Sequence, residues 1–402
     1  MHDHNGIRCD TVTERIYLDY AAAAPVLPEV LDAMLPFFVL KFGNPSGIHG
    51  SGRETRKAVE KARRQVAGVL GAENAEIIFT SGGSESDNLA LQGTASAMRG
   101  KGNHLITSRI EHPAVLNTCR FLEKQGFEVT YLTPDAYGTV HPEQVREAIR
   151  PETILVSVMT ANNEIGTIQP VREIGEICHE KGILFHTDAV QAVGMTETDV
   201  RAMNADLLSI SAHKFHGPKG VGALYVRKGT RINALIHGGS QERSLRAGTE
   251  NVPGIVGMGK ALEIASEGRE ENALRLRRLR DELIDEILNT IPDSRLNGHP
   301  ENRLPNNCHF SFGGIESEAL LLRLDLAGVE ASGGSACTSG SMEPSHVLQA
   351  IGLEKEYLQS SIRLTMGRQT TREEIRKTAR ILSEIVGDLR NMQGFCNQRD
   401  FR

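Results

Sequence analysis

The sequence predicts an α/β protein, with a large domain built on a mainly parallel, doubly covered sheet and a small α+β domain after it. Three observations carry that prediction. Between residues 76 and 188, short apolar runs alternate with amphipathic helical stretches, the pattern of parallel strands joined by helical crossovers. Polar or Gly-rich turns follow several of those runs, at the strand ends where such sheets place their ligands. From about residue 254 the pattern changes to a long charge-laced helical stretch and then to mixed short elements. The large domain is therefore drawn over residues 16–260. The small domain takes 261–402, with residues 1–15 packed nearby.

In order, the chain opens with a short strand from Ile16 to Tyr20, then Ala21 to Ala24 and an amphipathic segment through Val30, Leu31, Met34 and Leu35. Phe42 to Gly47 is a turn cluster. Arg53 to Leu70 is a helix, with Val59, Ala62, Val66 and Leu70 on one face. A strand from Glu76 to Thr80 runs through Ser81-Gly82-Gly83 into a helix starting at Ser84. Strands follow at His104 to Thr107, Glu128 to Leu132, Thr153 to Val158 and Ile183 to Asp188. Helices after Pro113, from Pro142 to Ile149 and from Val171 to His179 separate them. Leu207 to Ser211 and Gly222 to Val226 read as a strand and its return around a polar turn at His213-Lys214. Gly254 to about Asn289 is the helical connector. Beyond it lie a strand from Cys308 to Phe312, a helix from Ser317 to Leu326 and a Ser/Gly loop over 332–341. A strand from Ile362 to Met366 and a helix from Arg372 to Leu389 complete the chain.

Composition excludes several classes. A formal net charge of -6 over 402 residues gives no sign of binding to nucleic acid or an anionic membrane. No apolar run is long enough to span a bilayer. The first fifteen residues lack a basic-then-apolar signal, so a cytoplasmic enzyme is expected. The 6 cysteines form no C-x-x-C pair, which argues for free thiols in a reducing compartment, most of them buried as small apolar residues.

Several residues are candidates for chemistry. Lys214 stands at the end of an apolar strand with no acid within four positions. Desolvation there would free its amine as a nucleophile, although a lone Lys in a turn is more often solvated. Asp188 ends another apolar strand, so it either caps the next turn or meets a buried cation or donor. Ser81-Gly82-Gly83-Ser84 at a helix start can seat a phosphate on free N–H groups, or Ser84 can simply cap. His112 is a loop His that could stack on a ring or move a proton, and Arg363 a strand Arg that could grip a carboxylate. Cys337 lies in Ser332-Gly333-Gly334-Ser335-Ala336-Cys337-Thr338-Ser339-Gly340-Ser341, where a thiol is not packed as a hydrophobe. That setting favours a reactive thiolate over an inert linker Cys.

Taken together, the residues resemble the pyridoxal-phosphate enzymes of fold type I, and within them the cysteine desulfurases of the class-V aminotransferase family with a long Cys loop. The resemblance rests on S-A-H-K-F-H-G-P-K-G, H-T-D-A-V-Q, T-S-G-G-S-E-S-D-N, N-N-E-I-G, R-A-G-T-E-N and G-S-A-C-T-S, in order over about three hundred residues. It implies a seven-stranded, mainly parallel sheet and a pyridoxal 5'-phosphate cofactor. Lys214 would carry the cofactor and take the α-proton, Asp188 would hold the pyridinium, Gln191 the phenolic oxygen, and His112 would stack on the ring. Gly83, Ser84, Ser211 and His213 would hold the phosphate, with Thr249 from the second subunit of a homodimer. Arg363 and Asn162 would hold the carboxylate of L-cysteine, and Cys337 would take its sulfur as a persulfide, releasing L-alanine. A sulfur-acceptor or iron–sulfur scaffold protein would be the partner. Two departures stand out: Ser332-Gly333-Gly334 where Ser-Ser-Gly is commoner, and Ala21 to Ala24 where threonines are common. The alternatives are another fold-type-I enzyme, such as a selenocysteine lyase or an aminotransferase, and a docking scaffold without turnover.

Overall fold

The computed structural model describes residues 15–333 and 344–399, with side chains up to residue 392. Its centre is a seven-stranded sheet that the alternating runs build. The strands are β2 (Ile77–Thr80), β3 (His104–Ser108), β4 (Glu128–Leu132), β5 (Thr153–Ser157), β6 (Leu184–Asp188), β7 (Leu207–Ser211) and β8 (Gly222–Val226). Their spatial order is β2-β8-β7-β6-β5-β3-β4. All pairs are parallel except those of β8, which runs antiparallel to both β2 and β7. The expected mainly parallel architecture is therefore the one observed.

Alternation along each strand sends neighbouring side chains to opposite faces. Ile106, Val156, Leu208 and Tyr225 join a core under α3 (Gly50–Leu70), α7 (Val171–Lys181) and α8 (Val252–Glu267). Leu105, Leu155, Leu207 and Leu224 join a second core under α4 (Gly83–Met98) and α5 (Pro113–Lys124). Both faces are apolar, so both must be covered.

A third core lies behind a three-stranded antiparallel sheet of β9 (Ser294–Leu296), β10 (Asn307–Phe312) and β12 (Ser361–Thr365), in the order β12-β10-β9. It draws on α9 (Arg269–Thr290), α10 (Ser317–Leu326) and α13 (Arg372–Arg399), and also on Ile16 and Leu18. The expected opening strand is only β1 (Ile16–Tyr17), parallel to β11 (Val329–Glu330). It is short because the chain changes partners: the Leu18 N–H donates to Glu330 O, while Leu18 O accepts from Thr365 of β12. The connector expected as one helix is two, α8 and α9, divided at Gly268. Buried residues of α8 belong to the first core and those of α9 to the third, which is why one straight helix does not serve. In the described residues, no helix is long and apolar enough to cross a membrane.

Candidate active site

A cavity of about 200 Å³ opens beyond the carboxyl ends of β6 and β7. Its walls include Gly83, Ser84, His112, Asp188, Gln191, Ser211, His213, Lys214 and Arg363, so nine residues singled out by sequence meet in one place. Asp188 arrives as the last residue of β6 and Lys214 in the 3₁₀ turn Ala212–Lys214 that ends β7. The Lys214 amine donates to the carbonyl oxygens of Ala21 (2.5 Å) and Ala22 (2.9 Å). Gln191 Nε2 also donates to Ala21 O at 3.0 Å. The alanines thus act through their backbone, which side-chain reading could not reveal.

The turn into α4 is an anion seat. Gly82 adopts φ +155° and ψ -179°, a conformation open to glycine. A Cβ on Gly83 would meet Val190 Cγ2 at 2.8 Å, so the backbone lies close against the cavity wall. The first-turn N–H groups of a helix lack intrahelical acceptors and carry the positive end of its dipole. Opposite them, Ser211 Oγ bonds His213 Nδ1 at 2.9 Å. Burial, helped by Lys214, lowers the His213 pKa to about 4 and keeps that ring neutral.

His112 caps α5, its Nδ1 accepting from the Ala114 N–H at 3.1 Å, which leaves the ring proton on Nε2. Burial depresses its pKa. Asp188 takes the Val190 N–H on Oδ1 at 2.9 Å, and burial pushes its pKa up, partly offset by His112. Glu111 is fully enclosed, accepts from Ser108 Oγ and the Met159 N–H, and is raised to about 8 by burial.

Two residues depart from expectation. Asn162 does not line the cavity, and both ends of its amide are already engaged. Its Nδ2 donates to Ile110 O at 2.8 Å, and its Oδ1 accepts the N–H groups of Glu164 and Ile165. A carboxylate-binding role for that side chain is therefore not supported; Asn163 lines the cavity instead. Arg363, 2% exposed, already has partners: one nitrogen donates to Asp19 Oδ1 at 2.8 Å and another to Asn163 O at 2.9 Å. Its Nε has no hydrogen-bond partner among the described residues. A buried guanidinium needs such partners, and Asp19 carries the charge.

Cys337 lies outside the described residues, but the flanks of its segment are placed. Ser332 pairs through its backbone with Arg363, and Ser345 Oγ donates to Glu164 Oε2. His346 Nε2 bonds Glu111 O at 3.0 Å, next to His112. Both flanks therefore end beside the cavity.

Thr249 is exposed and does not line its own chain's cavity. The stretch leading to it is unusual: Glu242, Arg243 and Ser244 have φ of 43°, 58° and 65°. Left-handed backbone costs a non-glycine residue about 1–2 kcal/mol. A buried pair holds it, Glu242 receiving both guanidinium nitrogens of Arg63 at 2.7 Å and the Phe79 N–H at 2.8 Å. Removing one partner of such a pair costs about 3–5 kcal/mol, because the other charge is left buried and unpaired.

Reasoning from sequence missed Asp19, Asp87, Met159, Ala161, Asn163 and the Ala21–Ala22 carbonyls. Asp87 alone had a signal: four residues after Gly83 on a helix, it must share that residue's face.

The class-V aminotransferase profile matches residues 16–377. The cysteine desulfurase IscS of Methanosarcina thermophila is 55% identical over 392 residues, 98% of this chain and 97% of that protein. That of Dictyoglomus turgidum is 56% identical over 380 residues, 94% and 96%. Among solved structures, a NifS-like protein superposes with a TM-score of 0.88 at 40% identity, covering 93% of this chain and 100% of its own. A second, SspA in complex with cysteine, gives 0.78 at 42% identity over 87% and 98%. The profile spans both the seven-stranded and the three-stranded sheet, and the two relatives are more than half identical over almost the whole length. This chain therefore belongs to the class-V aminotransferase family, among its cysteine desulfurases.

Proposed function

We propose that the chain converts L-cysteine to L-alanine and retains the sulfur as a persulfide on Cys337. The single observation that carries this is one cavity gathering a strand-end amine, a buried acid, a helix-terminal anion seat and a buried guanidinium. The residues fit pyridoxal 5'-phosphate. Asp188 is a buried acid whose Oδ1 is held by Val190, and the Gly82-Gly83 turn offers the close backbone a phosphate requires. When bound, that cofactor supplies an electron sink for bonds at the substrate's α-carbon.

The chain's own residues do the rest. Lys214 Nζ holds the cofactor and serves as base at the α-carbon. Asp188 would keep a positive charge on the ring nitrogen, Gln191 would hydrogen-bond the phenolic oxygen, and His112 would stack on the ring. Gly83, Ser84, Ser211 and His213 bind the phosphate, and Arg363 the substrate carboxylate. The Cys337 thiolate attacks the substrate sulfur: an S–S bond forms, the Cβ–S bond breaks, and its electron pair takes a proton to give the methyl group of alanine. No external oxidant is needed, because carbon is reduced as sulfur is oxidised. Incubation with L-cysteine and a thiol should yield alanine and sulfide in equal amounts. A keto acid in place of alanine would instead identify an aminotransferase.

The finer reading is a homodimer in a reducing, cytoplasmic setting that passes sulfur to an acceptor such as an iron–sulfur scaffold protein. Buried free thiols at Cys119, Cys178 and Cys308, each pushed up to about 12 by burial, suit such a compartment. Support for the dimer comes from Thr249, exposed and away from its own cavity, and from the apolar Val39, Leu40, Phe42 (77% exposed) and Ile48 (91%). Mixing Lys214→Ala with Thr249→Ala subunits should restore one intact site per heterodimer, about a quarter of wild-type sites on random pairing. Absence of any gain over the separate variants would place Thr249 outside the neighbouring site.

A further inference from the structure

Two acids, rather than one, face the cavity from different elements. Asp188 ends β6, and Asp87 sits in the first turns of α4. One oxygen of each and one ring nitrogen of His112 all lie within 4.8 Å of one another. Asp87 is 1% exposed, and its Oδ1 has no hydrogen-bond partner among the described residues.

The groups around Asp87 give a charge there little support. From β6 come Asp188 and His186, from the segment after β3 Glu111 and His112, and from beyond β7 Lys214. His186 Nε2 stands 3.6 Å from Asp87 Oδ1. That ring is held between Ser157 Oγ (2.8 Å) and Ser209 Oγ (3.1 Å), and burial drives its pKa to about 3, so it is neutral. Ser209 favours the charge on Asp87, but burial, Asp188 and Glu111 all act the other way and raise its pKa well above normal. Two carboxyls this close and this enclosed do not both ionise.

We propose that Asp87 is a positioning residue that stays protonated beside Asp188, so that the pair carries one negative charge, on Asp188, toward the ring nitrogen of the cofactor. This rests on the reading of the cavity as a pyridoxal-phosphate site. A neutral acid can donate as well as accept, which accounts for an oxygen that finds no donor. It also sets the charge opposite Lys214: two ionised acids would hold protons on the amine that one does not.

The test uses two measurements. In the cofactor-free protein at neutral pH, infrared difference spectra should show the carbonyl stretch of buried protonated carboxyls. Asp87→Asn should remove one contribution, and Glu111→Gln a separate one. An unchanged band in Asp87→Asn overturns the proposal without reference to the cofactor. In the loaded protein, the absorbance titration of the Lys214-linked cofactor should keep its midpoint in Asp87→Asn to within about 0.3 pH unit. A fall of about one unit or more would mean that an ionised Asp87 had been removed. If the loaded protein cannot be formed even in the wild type, the site reading fails instead, while the infrared result still stands.

Discussion

Lys214→Ala is expected to lower L-cysteine turnover by at least about 100-fold, the low end of what a positioned acid–base group contributes. The geometry behind this is a single amine at the end of a buried strand. The backbone delivers it there: the Phe215 and Gly217 N–H groups both bond Ala212 O and tighten the turn. The carbonyl oxygens of Ala21 and Ala22 then hold Nζ at 2.5 and 2.9 Å, on the cavity wall that also carries Asp188. Removing the side chain leaves Asp188, Gln191 and the α4 turn in place, so non-covalent cofactor binding should persist while covalent attachment is lost. Borohydride reduction of the wild type followed by peptide mapping should put the pyridoxyl group on Lys214. An adduct on Lys219, on the exposed rim of the same turn, would overturn the assignment. Loss of folding is a weak rival explanation, because Lys214 is only half-buried.

The fold was legible where the local signal and the tertiary demand agreed. β4, β7, β8 and α10 keep the bounds their patterns predict, because period-2 or helical apolarity there ends at polar or glycine residues. The start of α3 was not, because His49 caps it through Nδ1 on the Gly52 N–H, and histidine followed by glycines does not read as a helix start. The break at Gly268 was hidden for another reason: charges continue across it, and only the change of core reveals it. In the site, residues whose chemistry is intrinsic could be named from sequence: an amine, a strand-end acid, a helix-start glycine turn. Asn162 shows the limit. Its type suits a substrate contact, yet Ile110 takes one end of the amide and its own loop the other. Asp87 shows the converse: its place on the same helix face as Gly83 was readable, but only the fold sets it beside Asp188.

Cys337→Ser should abolish sulfide and persulfide formation, a loss on the order of 10³-fold or more, as when a nucleophile is removed from a site whose other parts remain. The hydroxyl keeps the size of the thiol but is neutral near pH 7, whereas the thiolate is the form that attacks sulfur. Reach is not the obstacle. Ser332 is tied to Arg363 on the cavity wall, and five residues of extended chain span up to ~17 Å from there to residue 337. Three other thiols do not compete: Cys119, Cys178 and Cys308 are buried, and burial raises each to about 12, so none of them offers a thiolate to a substrate. The variant should still bind L-cysteine and change the cofactor's absorbance on mixing, because Lys214, Asp188 and Arg363 are untouched. That separates a lost nucleophile from a damaged site. Retention of wild-type sulfide release by Cys337→Ser would put the nucleophile elsewhere and remove the central step of the desulfurase mechanism.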